Sequence, residues 1–233
     1  RVDKIASVGV STETTGSVYF DGSSDYLTVE SSTDFAFGTG DFTIELWAYF
    51  DNTDNNMSLY DSRPLTTNGL YPAIQFESTN NTIRFYVDGS QVIGENNSIT
   101  AQTWHHIAVA RSGSSTKMFV DGRQIGSTYS DTNDYLNGSP NRPIVGVLGY
   151  NLSVYNFNGY ISNLRVCKGH AVYKSNFAVP TRELDVHPGP EHDRTVLLAC
   201  YDGENIFADK TGRHIIAAYG DRTSSPTPTA TDS

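Results

Sequence analysis

Glu45 sits in FTIELWAYF, residues 42–50, where it shares a strand face with Thr43, Trp47 and Tyr49. Hydrolysis of a glycosidic bond needs two carboxylates, one as acid and one as nucleophile or base. Glu45 has only Thr43 and Trp47 beside it, and a lone carboxylate cannot fill both roles, so no enzyme is expected. His187, Glu191, His192 and Asp193 would form a metal cluster only if something fixed their geometry, and the Pro-Gly loop around them favours solvated side chains. DNTDNN, 51–56, has the oxygen groups of a calcium loop but lacks glycine at the sixth place and glutamate at the twelfth, which excludes an EF-hand. Asp21 and Asp25 in FDGSSDY could supply hard oxygens to a structural calcium, although Asp21-Gly22 and Ser23-Ser24 also read simply as a turn. No cofactor is required. His105 and His106 follow Trp104 at the start of a strand and read as packing residues.

The elements that must position these groups are strands. Phe42, Ile44, Leu46, Ala48 and Phe50 alternate with the polar-aromatic set, which predicts a half-buried strand with a wetter outer face. IRFYV (83–87) runs into Asp88-Gly89, and MFV (118–120) into Asp121-Gly122; both read as hairpins because the turn needs positive φ. AVYKSNF (171–177) could hold one helical turn. Hydrophobic residues are only 37% of the chain, but 14 Tyr and 11 Phe supply bulky anchors for a core. Residues 1–16 read as an N-terminal arm, 185–194 as a Pro-rich connection and 222–233 as a Ser/Thr/Pro linker-like tail.

The formal net charge of −10 argues against nucleic acid as a partner and against an anionic membrane surface. No apolar run is long enough for membrane insertion as a helix. The first residue is Arg1, so a processed or excised start is expected. Two cysteines make neither a disulfide framework nor a zinc site. Cys167 and Cys200 would come close enough for a disulfide only if the tail folds back in cis, outside a reducing cell.

SVYFDGSSDYLTV (17–29), GTGDFTIELWAYF (38–50), WHHIAVAR (104–111), MFVDGRQIGS (118–127) and FNGYISNLRVCKGHAVYKSNF (157–177) follow one another in order. Together they resemble the laminin-G-like branch of the concanavalin A-like lectin/glucanase jelly rolls, in the version common in bacteriophage virion proteins. The resemblance covers 17–184 and implies an all-β fold, a two-sheet antiparallel β-sandwich. It makes residues 157–177 the closing strand and a cover for the sandwich edge, with Tyr173 and Phe177 as structural aromatics. It makes 185–221 a segment that packs back on the sandwich or on a neighbouring subunit, and it keeps a rim calcium open. The function it implies is a non-enzymatic virion structural or surface-decorating protein (capsid decoration, tail or fibre component). Its partners would be other virion proteins, with self-association, at the virion surface or outside the cell. The alternative is a carbohydrate-binding module for host or cell-surface glycans, with Trp47, Tyr49, Tyr71, Tyr150 and Tyr155 as aromatics that stack on sugar rings.

Overall fold

The computed structural model describes residues 16–182, 184–186, 194–202 and 205–220, with backbone alone at 224–225. The arm at 1–15, the histidines and acids within 187–193 and the tail at 226–233 lie outside the described residues.

Two antiparallel sheets face each other. The larger holds β1 (Ser17–Asp21), β3 (Phe42–Phe50), β8 (Trp104–Ser112), β9 (Ser115–Val120), β10 (Arg123–Ser130), β12 (Asn158–Lys168), β13 (Thr195–Ala199) and β15 (Ser224–Ser225). The smaller holds β2 (Tyr26–Val29), β4 (Met57–Asp61), β5 (Ala73–Glu77), β6 (Thr82–Val87), β7 (Ser90–Glu95), β11 (Ile144–Val145) and β14 (Ile216–Tyr219). A 3₁₀ turn, Thr33–Phe35, leads toward β3. The inward residues of β3 (Phe42, Ile44, Leu46, Ala48 and Phe50) are fully buried in the core between the sheets. Asp88-Gly89 and Asp121-Gly122 both take positive φ (48° and 76°, 50° and 75°), as a two-residue turn between twisted strands demands.

Residues 157–177, expected to close the scaffold at its edge, instead supply its central strand. β12 lies between β3 on one side and β1 followed by β13 on the other. Its pairing with β3 slips between Ser162 and Arg165, where Asn163 and Leu164 of β12 together oppose Leu46 of β3. Asn163 takes up the extra residue at φ 50°. Such a bulge inverts which side chains face the core. Ile161 faces inward before it, Leu164 and Val166 face inward after it, and Arg165 is turned to the outer face opposite Glu45. A strictly alternating reading cannot put Ile161, Leu164 and Val166 on one side; the bulge can.

After β12 the chain doubles back as an extended strap with bends rather than a helical turn. Tyr173 and Phe177 do not cap a strand end. They lie on the outer face of the larger sheet, packed on Ala108, Ala110 and Phe119. The rest of the chain adds to both sheets: β13 extends the β12 ladder with all five residues buried, and β14 pairs with β2. Cys167 pairs with Thr195 in this ladder, five residues short of Cys200, and both cysteines are buried thiols outside any disulfide. The disulfide considered from the sequence is not formed.

At Gly159 the backbone of β3 leaves no room for a side chain on β12. The Gly159 φ is +139°, and a β-carbon there would stand 1.9 Å from the Tyr49 carbonyl oxygen. Gly159→Ala should therefore cost about 3 kcal/mol in urea unfolding, whereas Lys174→Ala on the exposed strap should stay within about 0.5 kcal/mol. Equal midpoints for the two variants would contradict this account of β12.

Candidate functional site

The outer face of the larger sheet divides into a sealed half and an open half. In the sealed half, Glu45 is fully buried, contrary to the wet outer face expected from its alternation. Its Oε1 accepts from Arg165 Nε at 2.8 Å, and its Oε2 accepts from His106 Nε2 at 3.0 Å and from the Tyr173 hydroxyl at 2.7 Å. Burial alone would raise the Glu45 pKa; the Arg165 guanidinium and the bonds from His106 and Tyr173 outweigh it and bring the pKa down to about 2. Burial, and then the Glu45 charge, push the Tyr173 hydroxyl well above the usual tyrosine range, so it remains a donor.

The strap holds this cluster shut. Val172 N donates to Thr43 Oγ1, which donates to the His170 carbonyl; Phe177 N donates to the Gly122 carbonyl at 2.9 Å. The Tyr173 and Phe177 rings stack at 3.6 Å, and Phe177 meets Phe119 edge-on at 5.4 Å. Glu45 therefore has no route to a substrate, and every one of its strong hydrogen bonds stabilises the fold.

The open half is aromatic. Tyr19, Tyr160, Tyr49 and Trp104 are register partners across β1, β12, β3 and β8, each half-buried, with neighbouring ring centroids 4.8, 5.9 and 5.7 Å apart. Trp47 lies one pair further along, its ring 5.2 Å from His106. Of the five aromatics proposed from the sequence, Tyr49 thus belongs to this row and Trp47 lies beyond it against His106. Tyr155 lies in a cleft beside the row, whereas Tyr71 and Tyr150 flank the 62–72 segment through Gly69 and Thr66. Sequence reading missed Tyr19, Trp104 and Tyr160, because only the strand register brings them into line.

The cleft, about 560 Å³, lies at the end of the sheet where the row lies. Asp21, Asn52, Asp54, Asn55, Tyr155 and Asn156 form its walls, from the end of β1, the β3–β4 loop and the approach to β12. Tyr19 joins row to cleft by donating its hydroxyl to Asp51 Oδ2 at 3.2 Å. The loop is self-supporting: Asn52 Oδ1 accepts from Asp54 N, and Asn56 Oδ1 accepts from Ser78 N at 2.8 Å. Tyr155 is held at φ +58°, a strained value for a bulky side chain and of the kind that collects at binding sites. Asn156 Oδ1 is buried with no hydrogen-bond partner among the described residues.

The calcium candidates serve their own loop. Asp21 accepts from Ser23 N at 2.8 Å and Ser23 Oγ at 2.6 Å, and Asp25 Oδ2 accepts from Asp21 N. Among the described residues no three His, Cys, Asp or Glu side chains are grouped to hold a metal ion. The arrangement as a whole offers amide and carboxylate groups beside aromatic faces, a surface that hydrogen-bonds hydroxyls and stacks on C–H groups.

A laminin-G-type family model described as the concanavalin A-like lectin/glucanases superfamily matches residues 9–171. No curated protein sequence matches the chain. Among solved structures, the chain is similar to a candidate carbohydrate binding protein from Bacteroides ovatus, with TM-score 0.65 and 16% identity over 91% of this chain and 61% of that one. It is also similar to the carbohydrate-binding module CBM40 of the Ruminococcus gnavus IT-sialidase, bound to α2,3-sialyllactose (TM-score 0.56, 11% identity, 70% and 95% covered). A third is the leech intramolecular trans-sialidase, at TM-score 0.54 and 12% identity over 68% of this chain and 26% of that one. The chain thus spans less than two thirds of the Bacteroides protein, and at these identities the likeness is one of fold.

The sealed cluster has a measurable signature. The Glu45 pKa is depressed on folding, so its stabilisation is complete above about pH 4.5 and is lost as pH falls toward 2. Glu45→Gln should cost about 3–5 kcal/mol at neutral pH by leaving Arg165 buried without its partner. Its stability should also decline less steeply than the wild type's between about pH 5 and 2. Parallel acid limbs in urea titrations would show that Glu45 is not paired in this way.

Proposed function

This chain belongs to the concanavalin A-like lectin/glucanase superfamily, and from that premise we propose that it is a non-catalytic glycan-binding domain that recognises sugar in the cleft walled by Asn52, Asn55, Asn156 and Tyr155. The observation that carries the proposal is the cleft itself: its volume suits a small ligand, and it combines several amides with one strained aromatic. The half-exposed row of Tyr19, Tyr160, Tyr49 and Trp104 would extend contact along a longer chain by stacking. Carbohydrate-binding neighbours of the same fold support this reading over the purely structural one. The absence of catalysis is supported by Glu45, whose carboxylate is occupied by Arg165, His106 and Tyr173 beneath the strap.

A virion surface is the proposed setting. The stretch FNGYISNLRVCKGHAVYKSNF, of the kind found in phage virion proteins, supports it, with virion proteins and further copies of the chain as partners. Mass spectrometry of purified particles tests the setting: peptides of this chain are expected in intact virions, and their consistent absence would remove it.

Binding should be visible on a glycan array. Tyr155→Ala and Asn52→Ala should each weaken it at least about tenfold without lowering the unfolding midpoint by more than about 1 kcal/mol. No reducing ends should be released from a β-glucan panel. Hydrolysis that Glu45→Gln abolishes, or array binding indifferent to both cleft substitutions, would overturn the proposal.

A further inference from the structure

The cleft has a one-sided charge. Its described lining includes two carboxylates, Asp21 and Asp54, and no lysine, arginine or histidine. Burial raises the Asp21 pKa slightly, but the bonds from Ser23 and Ser24 outweigh it and hold the carboxyl below its ordinary range, so it is charged at neutral pH. Two further carboxylates stand against the lining. Asp51 takes the Tyr19 hydroxyl, and Glu77, next to Ser78, has its pKa lowered by hydrogen bonds from Thr79 and then Asn80. Arg84, whose Nη2 donates to Gln75 Oε1 at 3.2 Å and whose guanidinium lies over the Tyr86 ring at 5.3 Å, offsets part of the Glu77 charge but does not line the cleft.

An anionic sugar entering this cleft would lose water and meet no cation. A carboxylate or sulfate brought beside like charges without a partner is disfavoured. Hydroxyls meet the opposite situation. They can donate to carboxylate and amide oxygens and accept from amide NH2 groups, using both halves of each asparagine. The net charge of −10 extends the bias beyond the cleft.

Building on the glycan-binding reading above, we infer that the cleft selects neutral glycans, hexose or N-acetylhexosamine chains, and rejects those capped by sialic acid, uronic acid or sulfate. Amides outnumber carboxylates in the walls, and the Asp21 carboxylate is already committed to its own loop.

The test is titration calorimetry with matched oligosaccharides that share one core: neutral, sialylated, sulfated and N-deacetylated. The neutral form should bind at least about tenfold tighter than either acidic form at low salt. Raising salt from about 0.05 to 0.5 M should narrow the gap by screening, and Asp54→Lys should narrow it further. Acidic forms binding as well as or better than the neutral core would overturn the inference and leave glycan binding standing. The N-deacetylated form, opposite in charge to the carboxylates, should escape the acidic forms' penalty, and binding as weak as theirs would overturn the inference too. If no member of the set or of a broad array binds, the inference and the proposed function both fall.

Discussion

A carboxylate buried in a protein interior must be paired, and here the pairing of Glu45 with Arg165 governs the shape of a whole sheet face. Arg165 reaches Glu45 only because β12 carries one extra residue at Asn163. That same residue turns Leu164 and Val166 into the core. Asn163 is anchored in its turn: its N–H donates to the Cys200 carbonyl and its Oδ1 accepts from Leu184 N. The ion pair, the bulge and the docking of the segment around β13 are therefore one arrangement. Remove the pair and two charges are left in a dry place; remove the bulge and the apolar anchors of β12 face the wrong way.

The strap follows from the same requirement. Arg165 accounts for one Glu45 oxygen, and the other needs donors, which His106 and Tyr173 provide. Tyr173 can serve only if the chain beyond β12 crosses the sheet, and its stacking on Phe177 against Phe119 covers what would otherwise be an apolar surface of Ala108 and Ala110. The face is thereby used up at one end. At the other end no described segment crosses, and four aromatic side chains are half-exposed beside a polar cleft. The sheet thus seals a paired carboxylate at one end and leaves a surface of amides and rings open at the other.

Much of the fold was legible because short-range rules decided it. The alternation in FTIELWAYF gave the core face of β3, and two Asp-Gly pairs gave their hairpins, since positive φ at both turn positions leaves few choices. The outer face was misread because alternation reports which side a residue faces, and not what later covers it; Glu45 is hidden by residues more than a hundred positions away. The aromatic row escaped for a related reason. Tyr19, Tyr49, Trp104 and Tyr160 lie on four strands and meet only through register, which a single sequence does not state. DNTDNN was weighed only as a calcium loop, yet the density of asparagine in it was the visible trace of the cleft. Tyr155 was recognisable as a candidate aromatic, though its strained backbone was not.

The central claim is that ligand recognition belongs to the open rim and that the strapped face is structural. An NMR titration of the labelled chain with a bound neutral oligosaccharide reads this directly. Amide shifts should concentrate at residues 51–56 and 154–158 and reach Tyr19, Tyr49, Trp104 and Tyr160, while Glu45, Arg165, Tyr173 and Phe177 stay unchanged. Shifts centred on the strap and Glu45, or on the outer face of the smaller sheet at β5 to β7, would contradict it.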